Sequence, residues 1–217
     1  MSARPVPVGV LASGSGTNLQ ALLDACAAPD FPARIAVVVS NRGDARALQR
    51  ARQAGVPAVH LPKARSQARE DYDAELVGIL RAHGVEWVCL AGYMLLVTPV
   101  FLDVFPGRVL NIHPALLPAF RGLHAQQQAL DAGVRIAGAT VHLVELGMDE
   151  GPIICQGAVP VLPEDDLAAL QARILAVEHR LYPQAVRQAV EGRLQVEQGR
   201  VRVELRPGEQ RWIWSER

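Results

Sequence analysis

VPVGVLASGSGTNLQALL, residues Val6–Leu23, decides the fold. Val6 to Ala12 is a short apolar run, Ser13-Gly14-Ser15-Gly16-Thr17-Asn18 interrupts it, and Leu19, Leu22 and Leu23 then recur at helical spacing. The order is strand, glycine-rich turn, helix. Glycines permit a tight turn and close backbone approach, and the free N–H groups of a helix start attract an anion. Two readings of the turn stay open: Gly16, Thr17 and Asn18 hold a phosphate, or Thr17 merely caps the helix after a plain turn. Leu19 stands where a dinucleotide fingerprint needs its third glycine, and no Gly-Lys-Ser/Thr makes a Walker motif.

The alternation continues outward. Ile35 to Val39 is a β-branched run of the kind a strand covered on both faces needs. Asn41-Arg42-Gly43-Asp44 reads as a turn and cap, leading into a helix through Gln53 that ends at Gly55 before Pro57. Val56 to Leu61 reads as a third strand, Ser66 to Ala82 as a helix and Trp87 to Ala91 as a fourth strand. Short apolar strands alternating with helices predict an α/β fold whose mostly parallel central sheet is flanked by helices. Ligands of such sheets bind beyond the carboxyl ends of the strands. That rule selects Ser13 to Asn18, the segment Gly92 to Val97, and the exit of a fifth strand at Asn111 to Pro118.

The third of these carries the chemistry. Val109 to Ile112 alternates as a strand end, and Pro114 and Pro118 stiffen the exit, so Asn111 and His113 share one face. An amide donor beside an imidazole suits a reaction in which a carbonyl oxygen gains charge; a polar strand terminus with a satisfied histidine is the alternative. The Met94–Val97 run either packs as core or lines a pocket for a flat ligand, and core packing is the plainer expectation.

Beyond Pro118, a helix of about nine residues contains Gln126 to Leu130. Ile136 to Val144 and Ile153 to Val161 read as strands, and the loop Glu145 to Pro152 between them holds acids that can approach His113 and keep it charged. Pro163 to Asp166 caps a long helix, Leu167 to Ala189, expected to break at Pro183. Leu194–Val196 and Val201–Leu205 suggest a hairpin, and Trp212–Trp214 a terminal strand or packing anchor.

With 217 residues, half of them apolar, and no repeat or linker, a single domain is expected. Lysine plus arginine and aspartate plus glutamate both total 22, so no overall basic field recruits nucleic acid or an anionic membrane. The start, Met1 to Pro5, precedes too short an apolar run for a signal peptide, and no later run would span a bilayer; a soluble cytoplasmic protein is expected. Cys26, Cys89 and Cys155 are odd in number and widely spaced, which argues for buried thiols over a disulfide framework or zinc site. His60 and His83 sit near element ends without matching partners.

These residues carry a resemblance. The chain is similar to the phosphoribosylglycinamide formyltransferases from Val8 to Glu191, through Ser13–Leu19, Leu90–Met94, Asn111–Pro118, Thr140–His142, Met148–Ile154 and Glu178–Pro183. The resemblance implies a single-domain Rossmann-like formyltransferase fold. It assigns nucleotide binding to an amino-terminal half of residues 6–105 and folate chemistry to residues 106–205. Asn111, His113 and Asp149 become the catalytic trio, while Gly16, Thr17, Asn18 and Glu178 take the ribonucleotide. The co-substrate 10-formyltetrahydrofolate falls to Arg69, Met94, Leu95, Leu96, Val97, Asn111, Glu145, Leu146, Gly147, Met148 and Asp149. Leu95 and Leu175 depart from an arginine and a glutamine of the family pattern. Small-molecule substrates, no metal, and a monomer or weak homodimer are implied. The alternatives weighed against it are a formyltetrahydrofolate hydrolase and a non-catalytic folate- or nucleotide-binding module.

Overall fold

A computed structural model describes residues 4–210 and 212–214. The segment read for a signal peptide lies partly outside them. The chain divides into two compact units, Met1–Asn111 and Ile112–Arg217.

In the first unit, β1 (Val6–Leu11) leads to α1 (Thr17–Cys26), β2 (Ala33–Ser40) to α2 (Arg46–Gln53), and β3 (Ala58–His60) to α3 (Arg69–Ala82). Next, β4 (Trp87–Leu90) leads to the short α4 (Pro99–Leu102), and β5 (Val109–His113) carries the chain into the second unit. β1 pairs parallel with β2 and β4, β2 with β3, and β4 with β5, in the order β5-β4-β1-β2-β3. Chain order thus reverses at β1, and the loops leaving β1 and β4 diverge at a topological switch point. The middle strands are nearly continuous in burial, with Val8, Val10, Leu11, Val37 and Val38 fully enclosed, as a sheet covered on both faces demands. α3 turns Tyr72, Leu76, Val77 and Leu80 inward at helical spacing, with Glu70 and Asp71 complementing the positive end of its dipole.

The second unit begins with α5 (Ala125–Asp131), then β6 (Ile136–Leu143) and β7 (Ile153–Pro160), which pair antiparallel. α6 (Leu167–Val190) follows, then the hairpin β8 (Leu194–Glu197) and β9 (Arg200–Val203), and finally β10 (Trp212–Trp214), parallel to β7. Asp166 caps α6 by accepting from the Ala169 amide at 2.8 Å. α6 lies so close on β7 that a Cβ at Gly157 would sit 2.1 Å from Val177 Cγ1 and 2.9 Å from Leu181 Cδ1.

The expected alternation and mostly parallel pairing are borne out. Several local expectations are corrected. α6 does not break at Pro183: the proline removes one amide, but Leu181, Tyr182, Ala185 and Val186 stay buried on both sides of it, and that packing carries the helix through. Thr17 does not cap α1, because Gly16 takes the cap position in a left-handed conformation with no side-chain bond. Asp44 does not cap α2, since Arg42 takes its carboxylate at 2.9 Å. Cys89 and Cys155 are buried as expected, with burial pushing Cys155 up to about 12, whereas Cys26 is only half-buried. α4 was not expected. Among the described residues no helix is long and apolar enough to cross a membrane.

Gly157→Ala should overpack the contact with α6 and lower stability by about 1–3 kcal/mol in urea unfolding.

Candidate active site

β5 ends where Pro114 halts the ladder, leaving His113 at its last position, 5% exposed. A buried hydroxyl fixes the exit turn. Thr140 Oγ1 donates to the Ala115 carbonyl at 2.7 Å and accepts from the Leu117 amide at 3.1 Å, while Gln156 bonds Thr140 Oγ1 and the Leu117 carbonyl, each at 3.0 Å. The backbone immediately after His113 is therefore pinned to β6 and β7.

Both ring nitrogens of His113 face oxygen acceptors. Nε2 lies 2.9 Å from the Phe120 carbonyl, which can only accept, and Nδ1 lies 3.4 Å from Asp149 Oδ2. Nε2 therefore carries a proton in its bond to the carbonyl. Asp149 is a non-glycine residue at φ +54°, an orientation aspartate tolerates better than most, and its Oδ2 accepts from the Gly122 amide at 2.8 Å. Its other oxygen lies 3.8 Å from His142 Nε2. His142 Nδ1 donates to the Leu143 carbonyl at 2.8 Å, so the neutral ring presents a bare Nε2 to the carboxylate. Burial, the largest influence, holds His142 below its ordinary value of 6.5.

In the first unit, two successive carbonyls of the glycine-rich turn are tied to α2. The Gly14 carbonyl accepts from the Ala47 amide at 3.2 Å and the Ser15 carbonyl from Arg50 Nε at 2.9 Å. A trans peptide points its N–H opposite its C=O, so the Ser15 and Gly16 amides face away from α2. Gly16 is at φ +70°, and a Cβ there would sit 2.7 Å from Ala47 Cα, so only glycine fits. Amides of Ser15, Gly16 and Thr17 have no partner among the described residues. Consecutive amides of this kind form an anion-binding concavity. Ser13 Oγ donates to Asn41 Oδ1 at 2.6 Å and accepts from the Met94 amide at 3.0 Å.

The loop after β4 corrects the expectation of core packing. Met94 is 61% and Leu96 59% exposed, Leu95 is half-buried, and only Val97 of this run is buried. Its backbone is already held, so the apolar side chains stand outward. The amides and carbonyls of Leu95 and Val97 have no partner among the described residues. An apolar surface edged by free N–H and C=O groups can take a flat heterocycle with donors and acceptors along its edge. Arg69 bonds the Leu96 carbonyl and pairs with Asp73 at 3.4 Å.

Of the other expected residues, Asn111 is half-buried two positions before His113, on the same face of β5. In the loop Glu145 to Asp149, Leu146 is 62% and Met148 48% exposed and Glu145 is exposed, whereas Gly147 is half-buried; Glu150 pairs with Arg121 at 2.6 Å. Glu178 is buried at mid-helix in α6, and Leu175 is half-buried one turn before it. Sequence reasoning gave no role to His142, Arg50 or Asp73. The Thr-Val-His alternation on β6 puts Thr140 and His142 on one face and was the available signal for the first. Nothing in spacing marks the other two. His60, at the end of β3, is exposed, and His83, just after α3, is half-buried. Among the described residues no cluster of His, Cys, Asp and Glu is arranged to hold a metal ion.

On this α/β sheet a carboxylate meets a histidine that ends β5, and residues 7–186 match the family described as formyl transferase, to which the chain belongs. It is similar to the phosphoribosylglycinamide formyltransferase of Haemophilus influenzae, 45% identical over 190 residues covering 87% of this chain and 89% of that protein. The crystal structure of glycinamide ribonucleotide transformylase 1 from Symbiobacterium toebii matches with a TM-score of 0.90 at 57% identity, covering 92% of this chain and 94% of that one. A formyltetrahydrofolate deformylase from Pseudomonas syringae matches at 30% identity and a TM-score of 0.86, with 67% of that chain covered. The chain spans 14% of the length of the trifunctional purine biosynthetic protein of Drosophila melanogaster, to which it is 46% identical. The resemblance read from the sequence is borne out.

The folded state holds His142 neutral at pH values where the unfolded chain's imidazole already binds a proton. Its contribution to stability is therefore present above the ordinary 6.5 and lost as pH falls through the lowered value. Urea unfolding between pH 8 and 5 should show stability falling toward acid, with a shallower fall in His142→Gln.

Proposed function

We propose that this chain transfers the formyl group of 10-formyltetrahydrofolate to the amine of N1-(5-phosphoribosyl)glycinamide, giving the N-formyl product and tetrahydrofolate in purine synthesis. The observation that carries it is the His113–Asp149 pair, 3.4 Å apart and nearly buried at the end of β5. A binding module has no need of an imidazole poised between a carboxylate and a carbonyl, and similarity over most of the chain to enzymes bearing the transferase name favours it over the hydrolase.

The formyl folate supplies an electrophilic carbonyl and leaves as tetrahydrofolate. The substrate amine attacks that carbonyl directly. His113, in its charged form, shares its Nε2 proton between the Phe120 carbonyl and the oxygen that gains negative charge, to which the Asn111 amide also donates, and this stabilises the transition state more than the ground state. Asp149 sustains the charge on His113 and fixes the ring. A water near Asp149 relays the amine proton to the departing nitrogen. The amides of Gly16, Thr17 and Asn18 hold the substrate phosphate, and Glu178 the ribose. The pterin lies along Met94–Val97, with the amides and carbonyls of Leu95 and Val97 bonding its edge, and Glu145–Asp149 and Arg69 complete the folate contacts. Leu95 contributes backbone and apolar surface but no charge, and Leu175 contributes no polar contact to the ribonucleotide. The protein acts in the cytoplasm as a monomer or weak homodimer.

The decisive assay follows tetrahydrofolate release with and without the ribonucleotide alongside formylation of the amine. Release that depends on the ribonucleotide and matches product one for one is expected; equal release without it makes water the acceptor and the hydrolase the better reading. In the same assay Asn111→Ala and His113→Ala should each lower kcat by about a hundred- to a thousandfold or more while remaining folded.

A further inference from the structure

Asp73 is a fully buried carboxylate with no part in the proposed chemistry. Burying a charge costs several kcal/mol unless it is paired and hydrogen-bonded, so what it holds is informative. Oδ2 accepts from the Thr98 amide at 2.7 Å, and Oδ1 lies 3.4 Å from Arg69 Nη2, one helical turn earlier on α3. The same guanidinium donates to the Leu96 carbonyl. Tyr72, next in sequence to Asp73, donates its hydroxyl proton to the Leu61 carbonyl at 3.0 Å, leaving its oxygen to accept from Tyr93 at 3.3 Å. The first turns of α3 thus grip the loop after β4 at Tyr93, Leu96 and Thr98.

The grip is selective. It consumes the Leu96 carbonyl and the Thr98 amide and leaves the backbone groups of Leu95 and Val97 free. Without it, a segment whose Met94 and Leu96 side chains are largely exposed would gain by folding them inward, turning those free groups away. Peptide groups preset toward a ligand avoid an ordering cost on binding.

We propose that Asp73 is a positioning residue for the folate-binding loop, acting through Arg69 and the Thr98 amide and supported by the Tyr72–Tyr93 hydroxyl link. It touches no substrate. The proposal rests on the assignment of Met94–Val97 to the folate. Its effect falls on one substrate only: loosening the loop weakens folate binding and leaves the turn that follows β1 intact.

Asp73→Asn retains an acceptor for Thr98 and removes the charge facing Arg69; Tyr72→Phe removes one hydroxyl and keeps the ring. Steady-state kinetics should show the KM for 10-formyltetrahydrofolate rising about tenfold in Asp73→Asn and about threefold in Tyr72→Phe. The KM for the ribonucleotide and kcat at saturation should stay within about twofold of wild type. Calorimetric Kd values for tetrahydrofolate should rise in parallel, and in the protein without ligand, hydrogen exchange of the Thr98 amide should quicken in Asp73→Asn. If Asp73→Asn does not fold, Tyr72→Phe decides alone. Unchanged folate KM and Kd in folded variants, or an equal rise in both KM values, would overturn the proposal. Wild-type protein that transfers no formyl group but still binds tetrahydrofolate with the same sensitivity would sink the proposed function and leave this role standing.

Discussion

The second unit depends on how one carboxylate is satisfied. Asp149 accepts from the Gly122 amide and lies beside His113 and His142. With only 11% of its side chain exposed, this carboxylate relies mostly on donors that its neighbours supply. Gly122 does so from the backbone, which ties the loop after Pro118 to the loop between β6 and β7. His113 does so from the end of β5. His142 cannot in its neutral form, because its one N–H already goes to Leu143. The two imidazoles therefore face the same acid differently: His113 lies 3.4 Å from it at the end of β5, while His142 is kept neutral beside it by burial.

The first unit solves a different problem. Loops at the carboxyl ends of parallel strands must leave backbone groups unpaired if they are to bind anything, yet unpaired backbone is costly and mobile. Side chains from the neighbouring helices settle this. Arg50 and the Ala47 amide fix the carbonyls of the turn after β1, and Arg69 and Asp73 fix the loop after β4. In each case the groups turned toward the helix are satisfied and those turned away stay free.

Much of this was legible before any coordinates. Apolar runs between glycine-rich turns marked the strands because a doubly covered sheet admits little else, and the Asn111–His113 spacing placed both on one face by simple pleat geometry. Spacing brought only some acid of the Glu145–Pro152 loop toward His113, and it was the family resemblance that singled out Asp149. What stayed hidden were pairings between distant positions. Asp73 looks like any helix-surface acid until Thr98 is seen beside it, and Arg50 like any helix-surface base. Local rules also misjudged competition: the Met94–Val97 run is apolar enough for a core, yet Arg69, Asp73 and Ser13 hold its backbone where two of its side chains cannot be buried. Pro183 should stop a helix by its own chemistry, but packing on either side of it outweighs one lost amide.

One hydroxyl carries a consequence for motion. Ser13 donates to Asn41 and accepts from Met94, so it stands in both first-unit loops at once. Its own amide also donates to the Gly92 carbonyl at 3.0 Å. The link lies at the near ends of both segments, at Ser13 in one and at Gly92 and Met94 in the other, ahead of the Leu96 and Thr98 contacts made by α3, so fraying of the outer part of either segment stops at this shared root.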